Sequence, residues 1–86
     1  MRIPLKRPER PNWPCHEHHV FGGKNRKNSE QYNCVVYLPP EMHIGPDGVH
    51  NNRVLSDYLH CEFQARLEAE GWTREEFRET FGKSYL

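Results

Sequence analysis

The sequence has little of what usually stabilises a very small protein. Hydrophobic residues make up 35% of its 86 residues, and so short a chain buries only a small core. The three cysteines, Cys15, Cys34 and Cys61, are an odd number without a Cys-x-x-Cys pair, which argues against a disulfide framework. The sequence has no apolar run long enough to span a membrane, and Met1-Arg2-Ile3-Pro4 lacks the apolar core expected of a signal peptide. We therefore expect a soluble, polar protein of the cytoplasm.

Histidine is abundant, with six residues in the chain. Imidazole is the commonest metal ligand among side chains, and a bound metal ion can stabilise a domain that lacks both disulfides and a large core. We therefore expect a metal ion to hold this domain together. A histidine-rich surface that binds nothing is the alternative.

Charge is distributed unevenly, although the formal net charge is zero. Residues 1–27 carry seven Lys and Arg against two Glu, a net charge of +5, and residues 28–86 carry five against ten acids, a net charge of −5. Basic residues that converge on one face would provide the positive potential that nucleic-acid binding needs. Basic arms are also common in proteins that bind no nucleic acid, so the pattern allows such a partner without requiring one.

Prolines separate an arm, residues 1–14, from a domain, residues 15–86. The arm should be extended, because prolines exclude a helix and favour extended backbone in the residues before them. The four prolines concerned are Pro4, Pro8, Pro11 and Pro14.

Two strands and a turn are predicted in the first half of the domain. The first strand lies between residues 15 and 21, a polar loop follows over residues 24–33, and the second strand covers residues 34–38. Pro39-Pro40 ends the second strand, and Gly45-Pro46-Asp47-Gly48 predicts a tight turn.

Two helices are predicted in the second half. An apolar stripe indicates an amphipathic helix over about residues 52–70, which Gly71 ends. Thr73 and Glu76 form a capping box for a second helix over about residues 74–81, which Gly82 closes. The stripe consists of Leu55, Leu59, Phe63 and Leu67, joined by Val54, Tyr58 and Ala65, and the aromatic core residues of the second helix are Trp72, Phe77 and Phe81. The fold class is α+β, with a ββα order and an added C-terminal helix.

The adjacent histidines His18 and His19 carry the clearest chemical signal. Neighbouring side chains of a strand point to opposite faces, so one imidazole can bind a metal while the other accepts a proton from water. A hairpin would bring His43 and His50, which flank the predicted turn, back to His18. Three imidazoles would leave positions on the ion open for water and a phosphate oxygen. Alternatively, His43 is an exposed loop residue, and His50 caps the long helix with Asn51.

The segment Glu17-His18-His19-Val20 resembles the first motif of the HNH or His-Me finger nucleases, and the interval from His19 to His43 is similar to theirs. The wider pattern resembles small phage-borne members related to recombination-enhancement nucleases, and covers nearly all of the chain after residue 14. It runs Cys15-x-x-His18-His19-Val20-Phe21-Gly22-Gly23, then Asn25-Arg26, Ser29, the strand to Leu38, His43, Gly45-Pro46, Val49-His50 and Phe81-Gly82-x-x-Tyr85-Leu86.

The resemblance implies a ββα-metal core that hydrolyses DNA phosphodiester bonds. It implies that His19 is the general base and that His18 binds the metal with His43 and His50. In the colicin DNases the residue before the general base is also a histidine. One divalent ion, Mg²⁺, Mn²⁺, Ni²⁺ or Zn²⁺, would be the cofactor. The Cys-x-x-Cys pairs that frame a structural zinc in many members are missing here, so we expect no second metal, and Cys15 and Cys34 become core residues.

Basic residues beside the glycine pair are candidates for contacts with DNA. Arg26 and Lys27 would hold the scissile or a neighbouring phosphate in catalysis, and Arg26 is favoured because its forked donors suit phosphate oxygens. Lys24 and Lys27 would bind the nucleic acid, or else be solvated surface charges. We expect Arg53 to pair with Asp57 on the helix surface rather than to contact phosphate.

Asn33 is assigned to the middle motif of the superfamily, where an asparagine holds the loop that aims the general base. A left-handed turn before the second strand would suit an asparagine equally well. Asn25 and Asn28 compete for the same role.

The function expected is that of a metal-dependent HNH-type endonuclease acting on DNA, as a monomer or weak dimer. Little surface is available for reading bases, so we expect weak sequence specificity and targeting by a recombination or packaging protein. The main alternative is a metal-stabilised DNA-binding module without catalysis, which would gain nothing from an unligated His19. A structural or partner-binding phage protein with incidental histidines is a third possibility.

Overall fold

The computed structural model describes all 86 residues as a two-stranded antiparallel sheet with four α-helices. The strands are β1 (His16–His19) and β2 (Val35–Leu38). The helices are α1 (Arg26–Tyr32), α2 (Pro40–His43), α3 (Arg53–Ala69) and α4 (Arg74–Phe81). The α+β class and both predicted strands are thereby confirmed, and none of the helices has the length and apolar character needed to cross a membrane.

The sheet register is set by the pairing of β1 with β2. His16 lies opposite Leu38, and His19 lies opposite Val35. The β-branched and aromatic residues of β2 favour a strand, and the strand ends at Pro39, which has no amide hydrogen to continue the ladder. Pro40 then occupies the first turn of the short helix α2, a position where its missing N–H costs no hydrogen bond.

Residues 24–33, predicted as a polar loop, instead contain a 3-10 turn at Gly23–Asn25 and the helix α1. Ser29 explains the difference, because its fully buried hydroxyl accepts a hydrogen bond from Phe21 N–H at 3.0 Å and donates one to Phe21 C=O at 2.8 Å. A polar segment is thus fastened to the end of β1 by a contact that composition does not reveal. Asn33 ends α1 in the left-handed region with φ of 62°.

The two C-terminal helices are as predicted at both ends. Asn52 caps α3 by accepting a hydrogen bond from Leu55 N–H at 3.1 Å. The capping box of α4 is formed by both partners, Thr73 and Glu76, and Gly82 ends the helix with φ of 99°, where a side chain would be strained.

The apolar stripe of α3 is narrower than predicted. Val54 and Tyr58 are 80% and 61% exposed, and Ala65 is also exposed. They project away from the core side that carries Leu59, Phe63 and Leu67. The expected pair of Arg53 with Asp57 is present at 3.6 Å, although both side chains are largely exposed, so it contributes little to stability.

An aromatic cluster joins the end of β1 to the C-terminal helices. Phe21 follows the strand directly, and its ring centroid lies 4.4 Å from that of Phe81 and 5.4 Å from that of Phe77. Trp72 is buried beside them. The core contains Val20, Phe21, Cys34, Val49, Leu59, Phe63, Leu67, Trp72, Phe77 and Phe81. All three cysteines are free, with Cys15 and Cys34 buried, in agreement with the sequence.

Residues 1–14 form no helix or strand and lie against the domain. The Trp72 indole N–H donates to Ile3 C=O at 2.8 Å, and Leu5 N–H donates to Tyr32 C=O at 3.0 Å. Arg2 pairs with Glu79. Part of the positive charge of the arm is therefore paired with an acidic side chain of the domain.

Removing the Ser29 hydroxyl should destabilise the fold. In Ser29→Ala the buried Phe21 N–H and C=O lose their partner, and we expect the free energy of unfolding to fall by about 1–3 kcal/mol in urea titration. Ser56→Ala is the matched control, because the Ser56 side chain makes no hydrogen bond in the structure. Equal stability of Ser29→Ala and the wild type would show that α1 does not depend on this contact.

Candidate metal centre

Three imidazoles converge beside the sheet. One ring nitrogen each from His18, His43 and His50 lies within 4.8 Å of the other two, a group able to hold a metal ion. The ring centroids are 5.2 Å apart for His18 and His43 and 4.5 Å apart for His43 and His50. The structure therefore brings together the three histidines that the hairpin argument grouped.

Strand alternation divides the β1 side chains between two environments. His16 and His18 both approach the ring of His43, each with its centroid 5.2 Å away. Glu17 and His19 lie on the other face, where His19 Nε2 is 3.6 Å from a Glu17 oxygen. The adjacent histidines thus have separate surroundings, as the period of a strand requires.

The tight turn after α2 places His50 beside His43. Val49 N–H donates to Met42 C=O at 2.7 Å, so the chain folds back along the helix. Gly48 allows this close approach, because a Cβ at that position would lie 2.9 Å from the His43 carbonyl. The His43 and His50 Nε2 atoms are consequently 2.7 Å apart.

His16 holds the second nitrogen of His43. The two Nδ1 atoms are 3.0 Å apart, so His43 has its Nε2 atom at the centre and its Nδ1 atom on a neighbouring imidazole. Metal-binding histidines usually use the other ring nitrogen for such an outer contact, which fixes the orientation of the ring. His16 was not among the predicted site residues, although its position two residues before His18 on a strand is a signal that it shares that face.

Burial favours the uncharged form of His18 and His43, which is the form that binds a metal. His18 is 7% exposed, and its burial, with the neighbouring His50 and His43, lowers its pKa from 6.5 to about 4. The pKa of His43 is also lowered, mainly by burial and to a smaller extent by the neighbouring His50 and His16.

The residues present fit a divalent ion after a small adjustment. Two nitrogens bound to one tetrahedral ion at about 2.0–2.1 Å are separated by roughly 3.3 Å, whereas the Nε2 atoms of His43 and His50 are 2.7 Å apart. The present distance is that of a hydrogen bond between the two rings. His50 is exposed, so its ring has room to turn outward by the difference.

His19 belongs to a second cluster, with carboxylates. Its Nε2 atom lies 2.8 Å from an oxygen of Glu30 on α1. Arg7 of the arm contacts Glu17 at 2.9 Å and Glu30 at 3.2 Å. Glu17, His19 and Glu30 also have the spacing of a possible metal group, but the Arg7 guanidinium already provides a cation for both carboxylates.

Both clusters border one cavity of about 230 Å³. The three basic residues predicted to contact DNA differ in whether they line this cavity. Its lining includes Arg26 together with His19 and the three central histidines. Lys24 and Lys27 are exposed and lie outside this lining. Of the three basic residues, Arg26 alone reaches the space where a substrate would meet the histidines.

Asn33 does not reach the site. Its side chain donates to Leu5 C=O in the arm at 2.7 Å, and its backbone forms the left-handed turn that was its alternative role. Asn25 and Asn28 donate to the carbonyls of Phe81 and Thr80, at 2.8 and 2.9 Å. They fasten the loop that follows β1 to α4, so on this loop Asn25 and Asn28, rather than Asn33, make the contacts that hold it.

His60 is the one histidine that belongs to neither cluster. It stacks on Phe21 with a centroid distance of 5.2 Å, and its Nε2 lies 2.8 Å from Val20 C=O, which it must reach as a donor. Burial lowers its pKa, which keeps it neutral. It holds the backbone directly after His19 and was not predicted from the sequence.

The metal-free protein should lose stability in mild acid. The folded pKa of His18, about 4, lies below its ordinary value of 6.5, so the unfolded chain binds the proton first and stability falls as the pH drops from 6.5 towards 4. Between about pH 7.5 and pH 5 this group should cost roughly 2 kcal/mol. Urea unfolding in the presence of a chelator measures the change. His18→Gln lacks this group and should show a correspondingly smaller loss; equal losses would contradict the assignment.

No protein-family model, curated protein or solved structure matches this chain. The site consists of a three-imidazole group with the spacing of metal ligands, in which His18 is buried and His50 is exposed, a separate histidine beside carboxylates, and a cavity that both border.

Proposed function

We propose that this protein is a metal-dependent nuclease of the HNH type that hydrolyses DNA phosphodiester bonds. The observation that carries the proposal is the separation of His18 from His19. His18 lies in a three-imidazole group, while His19 borders the same cavity and has carboxylate partners instead. The antiparallel pair of β1 and β2 with helices after it is also what a ββα-metal core would require, although α1 lies between the two strands.

His19 would act as the general base. It takes a proton from a water molecule in the cavity, and the water oxygen attacks phosphorus opposite the leaving 3′ oxygen. The new P–O bond forms as the P–O3′ bond breaks, and the leaving oxygen takes a proton from solvent. A divalent ion bound to His18, His43 and His50 would stabilise the negative charge on the phosphate and on the leaving oxygen.

Arg26 would hold the phosphate in this geometry. It borders the cavity between the glycine pair and the histidines, and no hydrogen bond or ion pair within the chain occupies its guanidinium. An arginine fork can bind two phosphate oxygens at once. Gly22 and Gly23 line the same cavity without side chains, so they leave room for a nucleic-acid backbone.

A metal-stabilised DNA-binding module without catalysis is the alternative that the same ligands permit. Its metal group would be purely structural. The close contacts of His19 with Glu30 and Glu17 favour the nuclease, because a structural site has no need for a histidine that is held beside the ligands without joining them.

Replacing each of the two adjacent histidines by alanine in turn should separate metal binding from turnover. His19→Ala should lower plasmid cleavage by about 10²–10⁴-fold, the range for loss of a general base, and leave Ni²⁺ or Zn²⁺ affinity in calorimetric titration close to that of the wild type. His18→Ala should weaken metal affinity itself by at least roughly tenfold. Cleavage by His19→Ala at the wild-type rate would contradict the assigned base.

Arg26 and Lys27 provide a matched pair for the phosphate contact. Arg26→Ala should lower the single-turnover cleavage rate by about 10-fold or more, since a charge-assisted contact is worth about 1.5–3 kcal/mol. Lys27→Ala should change it by less than about twofold, because a solvated charge contributes little. Equal effects of the two substitutions would show that Arg26 has no special place in the site.

A further inference from the structure

The side chain of His19 is held on one of its two nitrogens. Its Nε2 atom is 2.8 Å from Glu30 Oε2, and its Nδ1 atom makes no hydrogen bond within the chain. An ionised carboxylate can only accept a hydrogen bond, so a neutral His19 in this contact carries its proton on Nε2. The lone pair on Nδ1 is then available to accept a proton.

Glu30 is ionised in this arrangement. The hydrogen bond from His19 lowers the pKa of Glu30, and the nearby Arg7 guanidinium lowers it further. The Glu30 side chain is 54% exposed, so packing alone does not fix its direction. A second contact is needed to keep its carboxylate turned towards His19.

Arg7 supplies that contact from the arm. One guanidinium reaches Glu17 and Glu30, at 2.9 and 3.2 Å. Leu5, two residues before Arg7, anchors this part of the arm to the end of α1. Its N–H donates to Tyr32 C=O, and its C=O accepts from the Asn33 side chain. The helix that carries Glu30 and the arm that carries Arg7 are therefore fastened to each other.

We propose that Glu30 and Arg7 are positioning residues that fix the tautomer and direction of His19, so that the arm forms part of the active site. In this arrangement Arg7 orients Glu30, Glu30 holds Nε2–H, and Nδ1 faces the water that is to be deprotonated. The carboxylate also stabilises the positive charge that the imidazole acquires with the proton. The inference depends on the proposed function for its catalytic consequence, but the tautomer can be observed without activity.

A second metal ion on Glu17, His19 and Glu30 is the competing interpretation of the same cluster. It would require Arg7 to leave both carboxylates, because a guanidinium and a divalent ion compete for the same oxygens. A metal titration distinguishes the two interpretations, since positioning predicts one ion per chain in both the wild type and Glu30→Ala.

The first test reads the tautomer of His19 in the full-length, metal-free protein. Two-bond ¹H–¹⁵N spectra at about pH 8, where imidazole is neutral, should show the proton on Nε2 in the wild type. In Glu30→Ala the two tautomers should become mixed. A proton on Nδ1 in the wild type, or an unchanged spectrum in Glu30→Ala, would overturn the inference.

The second test compares single-turnover cleavage of plasmid DNA with Mg²⁺, Mn²⁺ or Ni²⁺. Glu30→Ala should lower the rate by about 10–100-fold, the range for loss of an outer contact, while DNA affinity and metal affinity change by less than about twofold. Glu30→Gln retains an oxygen acceptor and should fall between Glu30→Ala and the wild type. Arg7→Gln should also lower the rate. The matched controls are Glu75→Gln and Arg78→Gln, which alter exposed charges on α4 and should leave it unchanged.

The outcomes separate the inference from the proposed function. If the wild type cleaves and Glu30→Ala cleaves equally well, the inference is wrong and the proposed nuclease function is retained. If the folded, metal-loaded wild type cleaves nothing, the proposed nuclease function is wrong. The spectra alone then decide whether Glu30 sets the tautomer of His19. A second ion that is lost in Glu30→Ala would overturn positioning by showing that Glu30 is a ligand.

Discussion

The antiparallel pairing of β1 with β2 determines the chemistry of the four residues His16 to His19. With His18 opposite Val36 and His19 opposite Val35, alternate side chains enter two different environments. A register shift of one residue would exchange the two faces and place Glu17 and His19 among the central histidines. The core contacts of Phe21 and the hydroxyl of Ser29, which fix the chain directly after β1, therefore also preserve the division between His18 and His19.

The sequence predicted those features whose cause is local. The capping box at Thr73 and Glu76, the stop at Pro39 and the turn at Gly48 each depend on the conformational preferences of a few neighbouring residues. The grouping of His18, His43 and His50 followed from the hairpin that these signals define. Because β2 runs antiparallel to β1 and the turn at Gly48 folds the chain back, the later histidines lie beside His18.

Other features depend on contacts between distant parts of the chain. Helix α1 was not predicted because Ser29 meets the backbone of Phe21 only in the folded chain. The contacts of the arm were not predicted either, because the partners of Arg2 and Arg7 are not their neighbours in sequence. Asn33 shows the same limitation. Its residue type suits both a loop-holding role and a left-handed turn, and only the position of Leu5 decides between them. Glu30 and His16 were likewise not singled out by any linear motif.

The two faces of β1 are also electrostatically different. On one face burial and mutual repulsion keep His18 and His43 neutral, which prepares nitrogen lone pairs for a cation. On the other face His19 Nε2 lies 2.8 Å from Glu30 and 3.6 Å from Glu17, so its partners are carboxylates rather than imidazoles. Two neighbouring residues of one type thus receive opposite tasks from their surroundings, and Arg7 limits the excess negative charge beside the base.

The most direct test of this division is a crystal structure of the protein with Zn²⁺, with the ion located by its anomalous scattering. We expect one ion within about 2.0–2.1 Å of nitrogens of His18, His43 and His50, with His19 unligated and still in contact with Glu30. An ion bound by His19, or one placed between Glu17 and Glu30, would contradict this expectation.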